Sequence, residues 1–153
     1  MEEKNEQKII QCVIDDERAV FPTKAHKSDI GYDLTAIEVY KQISKKITLF
    51  ETGIAVSPPD GYYIEIVPRS SMSKTGYMLA NSVGTIDPDY TGTLKIALIK
   101  IDDDLPDIKL PFTRCQLVLR KAEYADVVKV EKLNETVRGN GGFGSTDNKN
   151  FRK

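Results

Sequence analysis

Residues 92–101 read GTLKIALIKI, and their pattern decides the fold class. In the first half Leu94, Ile96 and Leu98 fall on one side, Thr93 and Lys95 on the other. A period of two is that of a strand with one face in a core. In the second half Ala97, Ile99 and Ile101 make the opposite side apolar as well. That predicts a strand whose outer face is partly covered too, another subunit being one candidate. Working outward, YYIEIVP (62–68) repeats the alternation, with Ile64 and Ile66 opposite Tyr63 and Glu65. The stretches KIIQCVI (8–14), KITLFETGIAV (46–56), RCQLVLRKAEY (114–124) and VVKVEKL (127–133) complete the predicted strands. Turn residues such as SPPDG (57–61) separate them. Many short strands at regular spacing predict an all-β sandwich or barrel. The one helical candidate is a short turn in SSMSKTG (70–76).

A chain of 153 residues predicts one domain. With 40% hydrophobic and 29% charged residues it reads as a soluble globular protein. Its size allows a sizeable core without disulfide or metal staples. A net charge of -1 sets up no global field for nucleic acid or an anionic membrane, so neither is expected as a partner. No apolar run approaches the length of a membrane span. Cys12 and Cys115 form neither a disulfide framework nor a CxxC pair, and His26 is the lone histidine. The start, MEEKNEQKII, resembles neither a secretory signal nor a transit peptide. An intracellular location, in cytoplasm or nucleus or both, is the expectation.

The chain closes with VRGNGGFGSTDNKNFRK (137–153), which has four glycines, an adjacent Ser-Thr pair and only two aromatics, Phe143 and Phe151. Such a segment builds no core, and its backbone is costly to order. It reads either as a disordered terminus or as a flap that orders on a ligand. The expected organisation is a β domain over 1–136 and an arm over 137–153.

Four further segments carry chemistry. In SDIGYDLTA (28–36), Asp29 and Asp33 flank Gly31 and a strand starts near Tyr32. Alone, this is a turn entering a strand. In PRSSMSKTG (68–76), Arg69 brings a planar cation and Ser70 a hydroxyl to the start of a helical turn. This reads equally as a capped helix or as a phosphate site, since free N–H groups and a guanidinium both suit phosphate. NSVGTIDPDYTGT (81–93) reads as a hairpin punctuated by Gly84, Pro88 and Gly92. Asp87 there is either a turn residue or a general base for water. In TRCQLV (113–118), Gln116 is either an edge-strand residue or a ligand contact. In the tail, Arg138 can pair with phosphate, the glycines can wrap phosphate oxygens and Phe143 can stack on a base.

In this order and spacing the five segments resemble the all-β, homotrimeric dUTPase family (deoxyuridine triphosphate nucleotidohydrolases), from about Ala25 to Thr146. GTIDPDY, RGNGGFGST and PRSS lie close to the family pattern. Ile30 replaces a usual Ala, and Thr113 stands where the family has a basic residue three before its Gln, with Arg114 one place on. The resemblance implies a jelly-roll-like distorted β-barrel, with at most one short helix and a flexible glycine-rich arm. It implies a homotrimer with shared active sites, and hydrolysis of dUTP to dUMP and diphosphate with Mg²⁺. Asp87 resembles the base that activates water for attack on the α-phosphorus. Tyr90 resembles the ring that packs under deoxyribose and leaves no room for a 2′-hydroxyl. Asn81, Gly84 and Ile86 resemble the uracil-reading edge. Arg69, Ser70 and Gln116 resemble phosphate ligands, with Ser71 beside them in the substrate site. Asp33 resembles the carboxylate that orders water around the metal, which substrate phosphates mainly hold. Arg138, Phe143, Gly144, Ser145 and Thr146 resemble the closing arm. The fold also suits a related dCTP deaminase, or a binding module whose nucleotide occupancy regulates a partner. The Asp87–Tyr90 segment and the intact tail favour the diphosphatase.

Overall fold

The structure, a computed structural model, describes residues 6–147. The first five residues of the MEEKNEQKII start, and residues 148–153 with Phe151, lie outside the described residues. The chain divides into two compact units, Met1–Glu123 and Tyr124–Lys153.

The first unit is all-β, as the alternation predicts. Its strands are β1 (Gln11–Ile14), β2 (Tyr32–Ala36), β3 (Glu38–Gln42), β4 (Ile47–Glu51), β5 (Ile54–Ser57), β6 (Tyr62–Pro68), β7 (Tyr77–Leu79), β8 (Gly84–Ile86), β9 (Lys95–Lys100) and β10 (Phe112–Lys121). They form sheets in the orders β1-β5, β2-β10-β6-β8 and β3-β4-β9-β7. This is a jelly-roll-like arrangement whose sheets do not close into one continuous barrel. The helical candidate is a 3-10 turn, Ser70–Lys74. No helix among the described residues is long and apolar enough to cross a membrane.

The core follows from the two-residue period. Leu94, Ile96 and Leu98 are buried, as are Ile64 and Ile66 from β6 and Cys115 and Leu117 from β10. They join Leu34, Phe50, Ile54 and Met72 in one cluster. On the opposite side of β9, Ala97 and Ile99 are half-buried while Ile101 is exposed, so that apolar face is only partly covered within the chain. KITLFETGIAV is not one strand: Gly53, at φ 71°, breaks it into β4 and β5. That left-handed value suits glycine.

Two further expectations are corrected. NSVGTIDPDYTGT is not a hairpin. β8 pairs with β6, whereas β9 pairs with β4 and β7, so the Asp87–Tyr90 turn carries the chain from one sheet to another. VVKVEKL (127–133) is not a strand among the described residues. Val127, Val128, Val130 and Leu133 stand exposed there. Alternation alone supplies no ladder, and a strand exists only where a neighbour accepts its hydrogen bonds.

Candidate active site

β2, β6 and β10 lie side by side, with β10 between the others. The register sets Gln116 opposite Asp33 on β2 and Val67 on β6. Arg69 directly follows β6, so the pairing of three distant segments brings Asp33, Arg69 and Gln116 to one end of the sheet. They line a cleft of about 230 Å³ with Lys24, Asp29 and Gly31.

Arg69 is held from several directions. Its Nε lies 3.2 Å from Asp33 Oδ1, and both side chains are partly exposed. One terminal nitrogen donates to the Thr113 carbonyl at 3.2 Å, and its backbone N–H donates to the Arg114 carbonyl at 2.8 Å. A guanidinium has five N–H donors, so the pinned Arg69 keeps capacity for an anion. Gln116 Nε2 donates to the Pro68 carbonyl at 3.2 Å. Gly31 is buried against that amide: a Cβ there would lie 2.0 Å from Gln116 Oε1. Gly31 drew no role from its sequence position, because a glycine between two aspartates is an ordinary turn signal. Only the neighbouring strand shows why a side chain is excluded.

Ser70 and Ser71 open the 3-10 turn, where no side chain caps the first N–H groups. Ser70 is exposed, while Ser71 Oγ is buried without a hydrogen-bond partner among the described residues. An unmet buried hydroxyl costs about 1–3 kcal/mol. Arg114, the displaced basic residue, is exposed and lines a separate cleft of about 440 Å³ with Lys74 and Lys109. Thr113 is occupied by a 2.8 Å hydrogen bond to Thr35.

Asn81, Gly84, Ile86, Asp87 and Tyr90 lie together along β8 and its flanking turns, away from the cleft lining. Gly84 is buried, and a Cβ on it would sit 3.1 Å from Ile66 and 3.5 Å from Asn81 Nδ2. The glycine allows the close approach of β8 to Ile66 on β6. Asp87 is exposed, and its carbonyl accepts the Tyr90 N–H at 3.0 Å. Tyr90 donates its hydroxyl to the Thr93 carbonyl at 2.8 Å and lies against Gly92.

The remaining predicted residues belong to the second unit. Arg138 Nε donates to the Gly141 carbonyl at 2.7 Å, and backbone bonds join Ser145 to Gly142 and Asp147 to Gly144. Gly144 sits at φ 83°, and Phe143 at φ 51° is fully exposed. Ser145 and Thr146 are exposed. A bulky residue in the left-handed region is uncommon, and here its ring stands free.

A larger cleft, of about 520 Å³, is lined by Lys46, Lys100, Asp103 and Asp107, whose charges already pair with one another. Neither thiol suggests a nucleophile, since burial pushes Cys115 up to about 12 and raises Cys12 as well. No group of three His, Cys, Asp or Glu able to hold a metal occurs among the described residues. The carboxylate oxygens of Asp33 beside Arg69 are hard donors that fit a hydrated Mg²⁺ bound chiefly through a substrate.

Comparison with known proteins bears on family and fold. The dUTPase family model matches residues 17–147. The deoxyuridine 5'-triphosphate nucleotidohydrolase of Corynebacterium glutamicum is 37% identical over 139 residues, covering 90% of this chain and 93% of the relative. That of Arabidopsis thaliana is 36% identical over 130 residues, covering 85% and 78%. Among solved structures, a variant of the Staphylococcus bacteriophage 80alpha dUTPase with dUpNHpp shares the fold at a TM-score of 0.76 and 24% identity, covering 90% of this chain and 98% of that one. A variant of the phage phi11 dUTPase, described with a structural Mg(II) ion, gives a TM-score of 0.67 at 25% identity, covering 83% and 99%. With a family model spanning most of its length, and relatives of this identity along nearly all of it, the chain belongs to the dUTPase family.

Proposed function

We propose that this protein hydrolyses dUTP to dUMP and diphosphate, as a dUTP diphosphatase. The observation that carries the reading is the convergence of Arg69, Asp33 and Gln116 in one cleft, on a chain of this family. Arg69 and Gln116 bind phosphate oxygens, with Ser70, Ser71 and the open N–H groups of the 3-10 turn beside them. Asp87 takes the proton of the attacking water. Asn81, Gly84 and Ile86 read uracil, and Tyr90 packs under the sugar. Mg²⁺, when bound, neutralises charge on the phosphates. Asp33 orders the water around it. Phosphoryl transfer of this kind rests on positioning and charge neutralisation more than on covalent chemistry.

The active form in this proposal is a homotrimer with shared sites. Supporting it, the exposed side chains of Val127, Val128, Val130, Leu133 and Val137 make an apolar stretch that suits burial against another copy. The arm, 137–153, closes a neighbouring subunit's site. The free Cys12 and Cys115 suit a reducing compartment, the cytoplasm or nucleus.

The test is diphosphate release from dUTP against dTTP, dCTP and UTP, with and without Mg²⁺. dUTP is expected to be the best substrate, with Mg²⁺ required for full rate, and dCTP is expected to release no ammonia. A protein that prefers any other nucleotide overturns the reading. A second check uses the cleft itself. Gly31→Ala is expected to keep the fold, because the group it strikes is a movable side chain. It drives the Gln116 amide from its place, so kcat/KM for dUTP should fall about tenfold. Gln116→Ala should do the same, and the double variant no more than the larger single. A fully active Gly31→Ala protein would remove Gln116 from the phosphate site.

A further inference from the structure

We propose that Glu51 is a positioning residue for sugar selection, acting on Tyr90 through Thr93. The inference rests on the reading of Tyr90 as the ring under deoxyribose. Glu51 ends β4, opposite Lys95 at the start of β9, and lies far in sequence from every segment with a predicted role. Its carboxylate is largely buried, at 14% exposure, and the proposed reaction has no use for it.

Its bonds show what it holds. Oε2 accepts the backbone N–H groups of Thr52 at 3.0 Å and Gly53 at 3.3 Å. Oε1 accepts the Thr93 hydroxyl at 2.6 Å. Lys95 Nζ stands 3.8 Å from Oε1 and donates to Thr93 Oγ1 at 3.2 Å. Lys95 is itself kept in place over the Tyr40 ring, 4.5 Å from its centroid. Thr93 is therefore fixed from the side-chain end by a carboxylate and an ammonium. The carbonyl of that same residue accepts the Tyr90 hydroxyl at 2.8 Å.

The Tyr90 ring has no comparable anchor in the core, because it is 41% exposed on the turn between two sheets. Gly92 lets it lie flat, since a Cβ there would fall 2.6 Å from the phenol oxygen. One edge of the ring thus rests on glycine, and its tip is tied to Thr93. A wall that excludes a single hydroxyl works only if it does not give way by the width of that hydroxyl. The buried Glu51 carboxylate supplies the stiffness from below, through a chain of hydrogen bonds that joins β4 to the turn.

The test reads the ratio of kcat/KM for dUTP to that for UTP, with melting temperature measured alongside. Glu51→Gln keeps the size of the side chain but leaves one acceptor where two are used. Thr93→Val removes the hydroxyl and keeps the carbonyl. Tyr90→Phe cuts the link at the other end. Each is expected to lower the ratio about three- to tenfold, through a gain with UTP. The double variant Glu51→Gln with Tyr90→Phe should fall no further than the larger single, because both break one chain. Tyr90→Ala is the reference. If it leaves the ratio unchanged, the sugar role of Tyr90 itself is wrong. If it lowers the ratio while Glu51→Gln and Thr93→Val only lower melting temperature, Glu51 is structural and the inference is overturned. Additive effects in the double variant overturn the route through Thr93.

Discussion

Asp87→Asn is expected to lower kcat by about 10²–10⁴-fold while leaving nucleotide affinity nearly intact. The structure makes this a clean experiment. Asp87 is exposed on the turn after β8, so neither core packing nor an ion pair among the described residues depends on its charge. The contact that shapes the turn is a backbone bond, from the Tyr90 N–H to the Asp87 carbonyl, and Asn preserves it. Asn also suits such a turn as well as Asp does. What disappears is a basic oxygen able to accept a proton from water. Melting temperature and the affinity for a non-hydrolysable dUTP analogue should therefore stay close to those of the parent protein. A variant that turns over within a few-fold of the parent would remove Asp87 from the role of base.

Truncation before Arg138 is expected to lower kcat/KM about 100-fold or more, with the β unit still folded. Folding should survive because every residue of the buried core cluster lies within Met1–Glu123. Activity should not, because the removed segment carries Arg138, the glycine-lined turns and the free ring of Phe143. Stacking of an aromatic ring on a base contributes roughly 1–3 kcal/mol, which offsets part of the cost of ordering such an arm. A closing segment must also open, since lid motion often limits turnover. The chain has no tryptophan, so Phe143→Trp installs an indole whose emission reports on the arm alone. A spectral change with the dUTP analogue and Mg²⁺, and little change with uridine, is the expected pattern. A silent indole together with full activity in the truncated protein would return the segment to a plain tail.

Several strands were legible from local pattern. Burial of one face leaves a two-residue period in the sequence, so Ile64 and Ile66, or Leu94, Ile96 and Leu98, announce their own orientation. The start of β2 at Tyr32 and the short turn after Arg69 were equally local, set by glycine, aspartate and serine. The five motif segments pointed to the family for the same reason: each is a run of adjacent residues.

Partners are a different matter, because periodicity records which side is buried and not what buries it. VVKVEKL carries the alternation of a strand, yet no neighbour in the described chain pairs with it. NSVGTIDPDYTGT has the punctuation of a hairpin, but Ile64 and Ile66 draw Ile86 and Gly84 to β6 while β9 joins the other sheet. The need for glycine at position 31 is set by Gln116, a residue from another strand. The hold on Thr93 comes from Glu51, brought opposite Lys95 by the β4–β9 register. The sequence by itself determined several of the strands, the short turn after Arg69 and the residue types of the site. Only the tertiary structure decided which strands pair, and hence which side chains meet, because register depends on long-range packing that no local window contains.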